Sequence, residues 1–393
     1  MAVRVLPERQ AAPGRDAVLI SVVIPCLNEA ESIGQCVNAA RRVLDEHHLD
    51  GEVVVVDNGS DDGSGVLARL AGARVVDEPR RGYGSAYLAG FAEARGEYIV
   101  MIDADLTYDF EEIPRFIREL DGGAELVMGN RMDAVQPGAM PLLSRIGNPL
   151  MSRFLNLLFR TPISDTWCGM RAFRRDVLPV LDLQSTGMEF ASEMVIRAAR
   201  RGLEIRELPI ALHPREGESK LSPLRDGWRS LRLMLVYHPN FLFVFPGAFV
   251  GAIGALLMML VFAGASFSGH GFYIHTLIGG SLLVVVGTQL VGFGLCGRAY
   301  AVYQFGDRDA AFERWGRRVK LEHGLLLGLA VMGAGLAVGG VVVAHWIARG
   351  LGSLAEERIT ILAATLVIVG VQIFFTSFLL SLLGLRRRGR DDV

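Results

Sequence analysis

Four long apolar stretches, at roughly 241–263, 273–296, 324–347 and 359–383, are gathered in the C-terminal part of this 393-residue chain. Each is long enough to cross a hydrocarbon layer of ~30 Å as a helix. In lipid a helix satisfies its own backbone polar groups, so a bundle of spanning helices is the fold these runs demand. Pro246 lies near the start of the first run, where a membrane helix tolerates it. Gly333, Gly335, Gly339 and Gly340 supply the small surfaces that let such helices pack closely. No run carries a string of ionisable residues, so an ion or proton path is not indicated.

Orientation follows from the basic residues. The second and third runs are separated by Arg298, Arg308, Arg314, Arg317, Arg318 and Lys320, and the tail carries Arg386, Arg387, Arg388 and Arg390. The segment 264–272 has no Lys or Arg, and 348–358 has only Arg349 and Arg358. The N-terminal region, the middle loop and the C-terminus are therefore expected on the cytosolic side of the inner cell membrane. The first residues lack an apolar signal-peptide core, which agrees with a cytosolic start. A net charge of −2 gives no reason to expect nucleic acid as a partner. The four cysteines, Cys26, Cys36, Cys168 and Cys296, form no CxxC pair, so zinc and dithiol chemistry are not indicated.

The expected organisation is a tail at 1–17, a catalytic domain at 18–223, an amphipathic juxtamembrane helix at 224–238, the spans within 241–383, and a basic cytosolic tail at 384–393. In the juxtamembrane helix Leu224, Trp228, Leu231 and Leu235 follow helical spacing beside Arg225, Arg229 and Arg232, a pattern suited to a lipid surface. A second segment, 142–159, carries too many apolar residues for one core-facing stripe. Buried and lipid-facing placements are both open for it.

Before residue 130, apolar strands alternate with amphipathic helices. Strands are expected at Val18–Pro25, Glu52–Asp57, Ala73–Val76, Glu97–Ile102 and Glu125–Met128. Such alternation predicts an α/β fold with a parallel sheet, whose ligands bind off the carboxyl ends of the strands. Those ends are polar: Pro25-Cys26-Leu27-Asn28-Glu29, Asp57-Asn58-Gly59-Ser60-Asp61-Asp62-Gly63-Ser64, Arg80-Arg81-Gly82-Tyr83-Gly84-Ser85, Asp103-Ala104-Asp105 and Gly129-Asn130-Arg131. Asp103 and Asp105, two apart on extended backbone, offer hard oxygen ligands for a divalent cation and a diphosphate. The dinucleotide fingerprint is incomplete after Gly82 and Gly84, no P-loop is present, and neither EF-hand register fits.

With these motifs in order, the chain resembles the family 2 glycosyltransferases of GT-A fold over roughly 18–223. It is most similar to the polyprenyl-phosphate glycosyltransferases, such as dolichol-phosphate mannose and undecaprenyl-phosphate glucose synthases. Asp165-Thr166-Trp167-Cys168-Gly169-Met170-Arg171 and His213-Pro214-Arg215-Glu216-Gly217-Glu218-Ser219-Lys220-Leu221 extend the likeness. The resemblance implies a Rossmann-like GT-A domain followed by a four-helix transmembrane bundle. It implies that Pro25, Asn28, Glu29, Asp57, Gly82 and Asp103 hold the nucleotide, with Asp105 and Asp103 on Mg²⁺ or Mn²⁺. It further implies that Arg131, Arg215, Ser219 and Lys220 face the acceptor phosphate, and that Asp105, Asp165, Arg131 and Lys220 carry catalysis. Glu193 is the candidate for a sugar hydroxyl.

The expected reaction is inverting transfer of a hexose from UDP-glucose or GDP-mannose to a polyprenyl phosphate at the cytosolic membrane face. A processive polysaccharide synthase is the first alternative. Against it, Glu313-Arg314-Trp315 lacks the Gln of the processive Gln-x-x-Arg-Trp motif. A lipid-sugar transporter with a nucleotide-sensing domain is the second. The sugar, the nucleotide and any homo-oligomer stay open.

Overall fold

The computed structural model describes residues 19–215, 222–267, 270–271, 273–304, 312, 314, 321–351 and 356–384. They form two compact units, divided between Met234 and Leu235.

The first unit is built on a seven-stranded sheet. Its strands are β1 (Ile20–Cys26), β2 (Gly51–Asp57), β3 (Arg74–Asp77), β4 (Tyr98–Met101), β5 (Leu126–Asn130), β6 (Arg171–Arg174) and β7 (Ile205–Pro209), in the order β3-β2-β1-β4-β6-β5-β7. Strands β1 to β4 are parallel, as are β5 and β7, whereas β6 runs antiparallel to both β4 and β5. The five strands expected before residue 130 all run in the same direction, and the later β6, which enters between β4 and β5, makes the sheet mixed. A four-residue strand that starts and ends in Arg gives no apolar alternation to read.

Alternate residues of the strands face two helical layers. Ile20, Val22, Ile24, Val53, Val55, Val100 and Ile102 share a core with Ile33, Cys36 and Val37 of α1 (Ile33–Glu46) and Ile113, Phe116 and Ile117 of α4 (Ile113–Asp121). Against Val23 and Val56 lies α3 (Tyr83–Glu93), approaching so closely at Gly90 that a methyl group there would meet both valines. Tyr87 stacks on Phe190 at 5.7 Å, and Phe91 meets Phe173 edge-on at 5.1 Å. Phe190 opens α7 (Phe190–Arg201), so this aromatic cluster ties α3, β6 and α7 together. Between β2 and β3 lies α2 (Ser64–Leu70), and a four-residue α6 (Leu178–Leu181) precedes α7.

Helix α5 (Leu142–Phe159) has inverted polarity. Its inner face buries Asn148, Ser152, Leu155 and Leu158, while Leu142, Leu143, Ile146, Leu150 and Leu157 stand 52–73% exposed. The polar residues have work inside. Ser152 Oγ accepts from Thr166 N at 3.0 Å, and Asn156 bonds both the N–H and the carbonyl of Ile163. A similar mixture appears in α8 (Pro223–Val236), with Ser230 buried and Leu224 and Trp228 exposed.

The second unit contains four helices long and apolar enough to span a membrane: Asn240–Phe262, Ile274–Tyr303, Leu321–Ala348 and Glu357–Leu383. The first two meet through Gly247, Gly251, Gly254, Gly280 and Gly287, the last two through Gly328, Gly335 and Gly370. At all of these except Gly251 a Cβ would collide with the facing helix, so the helices approach too closely there for a side chain. Ser281 and Thr365, 2.7 Å apart, and Gln372 donating to Gln289 at 3.0 Å join the second span to the fourth.

Candidate active site

The first two connections after strands are laced together by side chains. Asn28, in the left-handed region at φ 52°, donates its N–H to Ser60 Oγ and accepts from Asp61 N. Glu29 N donates to Ser64 Oγ, Ala30 N to Asp62 Oδ2, and Ser60 N to Asp57 Oδ1. The third connection is pinned by Asn58, which is buried. Its amide donates to the carbonyls of Glu78 and Arg80 and accepts from Gly82 N at 2.7 Å. Gly82, expected at the nucleotide, thus gives its N–H to Asn58. Asn58 was not singled out from sequence, although it stands beside Asp57 in the motif.

The acidic pair follows β4. Asp103 Oδ1 accepts from the hydroxyls of Tyr83 and Tyr87 at 3.1 and 3.2 Å. Burial, then the charge of Asp105, pushes the Asp103 carboxyl up to about 6, with the tyrosine hydrogen bonds opposing. Asp105 is buried, and its Oδ1 accepts from Thr107 N at 3.2 Å and Thr107 Oγ1 at 2.6 Å. Between them Leu106 sits at φ 59°, a conformation that costs a non-glycine residue ~1–2 kcal/mol. The turn thus fixes one oxygen of Asp105 and leaves Oδ2 facing Arg215 Nη1 at 3.3 Å. Arg215 Nη2 also donates to Glu29 Oε1 at 2.7 Å.

A second cation stands behind the pair. Arg131 grips Asp165 with its forked edge, Nε to Oδ2 at 2.6 Å and Nη2 to Oδ1 at 2.9 Å. Asp165 is fully buried and the Arg131 side chain is 11% exposed. Burial opposes the charge of Arg131, but Tyr108 and Asp165 outweigh it and hold the guanidinium protonated well above its ordinary range. Glu207 on β7 fixes the Asp165 turn by accepting from Ser164 N and Asp165 N. Tyr108 Oη accepts from both Arg131 Nη1 and Gly169 N, and Gly169 packs directly on the Asp103 carboxylate.

A sheet edge carrying two carboxylates, two guanidinium groups and laced loops suits a phosphate-bearing ligand. Comparison with known proteins agrees. Residues 21–181 match the model of glycosyl transferase family 2, and residues 295–384 match the family 2 C-terminal transmembrane region. The low-salt glycan biosynthesis hexosyltransferase Agl6 of Haloferax volcanii is 42% identical over 371 residues, covering 94% of this chain and 90% of that protein. The chain belongs to glycosyl transferase family 2.

Two further relatives of this family 2 glycosyltransferase cover less of it. The dolichyl-phosphate hexose transferase of H. volcanii is 37% identical over 211 residues, 53% of this chain and 89% of its own length. The undecaprenyl-phosphate 4-deoxy-4-formamido-L-arabinose transferase of Pseudomonas fluorescens is 31% identical over 297 residues, 71% and 83% respectively. The fold is accordingly a GT-A domain followed by a transmembrane region, and the chain is a membrane enzyme.

Within this transferase, Pro25, Asn28, Glu29, Asp57, Asp103, Asp105, Arg131, Asp165 and Arg215 lie on or beside the strand-end edge. Ser219 and Lys220 fall outside the described residues. Glu193 departs from its expected role. It is buried, accepts from Gln184 N and Ser185 N, and pairs with Arg197 at 2.8 Å, so it holds the 182–185 segment rather than a sugar. Arg171 gained no role from sequence. Fully buried, it donates to the carbonyls of Thr166, Cys168 and Ala191, which fastens the Asp165 turn to α7.

The donor set fits a hard divalent cation. Among the described residues no group of three His, Cys, Asp or Glu could hold a metal alone, so the substrate's phosphate oxygens and water would complete the shell around Asp105 and Asp103. Asp105 Oδ2 already faces a cationic group, Arg215, which shows that the position favours positive charge.

Proposed function

We propose that this enzyme transfers a hexose from UDP-glucose or GDP-mannose to a polyprenyl phosphate at the cytosolic face of the cell membrane. The reading rests on the acidic pair with Arg131 and Arg215 beside it, in a chain that also carries four membrane-spanning helices. Two relatives, a dolichyl-phosphate and an undecaprenyl-phosphate transferase, support a lipid-phosphate acceptor. The basic residues between the second and third spans support the cytosolic orientation.

An oxygen of the acceptor phosphate attacks the anomeric carbon, the bond to the donor diphosphate breaks, and the configuration inverts. Asp105 and Asp103 would hold Mg²⁺ or Mn²⁺, which when bound neutralises the departing diphosphate as a Lewis acid. Two anionic substrates repel each other, and guanidinium groups offset this with charge-assisted hydrogen bonds. Arg131 is aimed for that role by Asp165 and Tyr108. Asp165 commits both carboxylate oxygens to Arg131, and a phosphate acceptor is already ionised at neutral pH. Asp165 therefore acts as a positioning residue, which revises its place among the catalytic groups. Asp57 and the loop it braces would receive the base and ribose.

The test incubates membranes containing the chain with radiolabelled UDP-glucose or GDP-mannose and extracts the lipid. Label from one donor should enter the lipid fraction as a single-hexose product and disappear in Asp105→Ala. Label in long polymer, or none in lipid with either donor, refutes the reading.

A further inference from the structure

Arg215 occupies the place where Asp105 would take its cation. Its Nη1 lies 3.3 Å from Asp105 Oδ2, and its Nη2 is 2.7 Å from Glu29 Oε1. The third nitrogen, Nε, is buried and has no hydrogen-bond partner among the described residues. Because Thr107 holds Asp105 Oδ1, Oδ2 is the oxygen left for a metal. A Mg²⁺ at ~2.1 Å from that oxygen would meet the guanidinium at a distance where like charges repel strongly. The two cations exclude each other.

From this we infer that Arg215 is the built-in counter-ion of Asp105, and that the divalent cation binds by displacing it. The inference deepens the proposed function and rests on its assignment of the metal to Asp105. Displacement strips Arg215 of one partner while its Nε already lacks one among the described residues, so the guanidinium gains by meeting a new anion. The diphosphate that arrives with the metal is such an anion. Metal alone should bind weakly, and metal and nucleotide should load together.

The test titrates Mn²⁺, without nucleotide, into the detergent-purified full-length chain and reads free Mn²⁺ by electron paramagnetic resonance. Arg215→Met should bind Mn²⁺ at least tenfold more tightly than the parent. Arg215→Lys keeps the charge but lacks the fork that spans Glu29 and Asp105. It should bind several-fold more tightly, which separates displacement from general electrostatics. Unchanged or weaker binding in both, with Mn²⁺ binding lost in Asp105→Asn, overturns the displacement and leaves the metal assignment standing. Binding that survives Asp105→Asn overturns the metal assignment and the inference with it.

Discussion

Asp165 and Arg131 form a buried fork-to-fork pair. Removing one partner of such a pair leaves a buried charge, at a cost of ~3–5 kcal/mol. Asp165→Ala should therefore lower the unfolding temperature sharply. The buried thiols of Cys26, Cys36 and Cys168 give the readout, since a thiol-reactive dye labels them only on unfolding. Arg131→Met combined with Asp165→Leu should recover much of that stability without activity, because neither charge is then stranded. If Asp165 positions Arg131, Asp165→Asn should lower kcat strongly without altering the shape of its pH profile. A lost acidic limb in that profile would instead mark Asp165 as a base. Much at this scale was legible, because Asp103, Asp105 and Asp57 interrupt apolar strands abruptly. The partner of Arg215 was not, since Glu29 lies 186 residues away and only the folded chain brings them together. Arg171 and Glu193 were misjudged or passed over because a charged residue gives no sign in sequence of being buried.

Among the elements, α5 shows why amphipathic pattern alone could not decide its placement. Leu142, Leu143, Ile146, Leu150 and Leu157 face out, while Ser152 and Asn156 hold the turn that leads to Asp165. The exposed set, flanked by Arg145 and Arg153, suits the headgroup boundary of a bilayer. In lipid nanodiscs, Ile146→Asn with Leu150→Asn should raise the apparent KM for the lipid acceptor several-fold and leave the unfolding temperature nearly unchanged. A large loss of stability would show that the face is packed rather than lipid-facing. Helix α3 makes the opposite case. Gly90→Leu must push against Val23 and Val56, and overpacking of this kind costs ~1–3 kcal/mol. The strands up to β5 were readable from their apolar runs, whereas β6 (Arg-Ala-Phe-Arg) and β7 (Ile-Arg-Glu-Leu-Pro) are short and interrupted by two charged residues each.

At the level of the whole molecule, the membrane unit was the most legible part, since length and apolarity alone mark a spanning helix. What sequence could not give was the pairing of spans, which depends on facing glycines and the Gln289–Gln372 contact. Hydrogen bonds between membrane helices average only ~0.6 kcal/mol. Gln372→Leu should therefore change thermal stability in detergent very little, while Gly287→Leu, which would drive a side chain into the backbone at Gly251, should unfold the first helix pair.

The outermost strand of the sheet, β7, has a reach that its position conceals. Glu207 on β7 steers Arg131 through the Asp165 turn, and the same chain runs on from Pro209 to Arg215, which covers Asp105. One peripheral strand thus bears on both cations, bracing the turn that holds Arg131 and leading on to Arg215. A slip of one residue in its pairing with β5 would turn Glu207 to the opposite face and shift the anchor point of Arg215 at the same moment. The enzyme would then be folded yet silent, disarmed at its rim rather than at its centre.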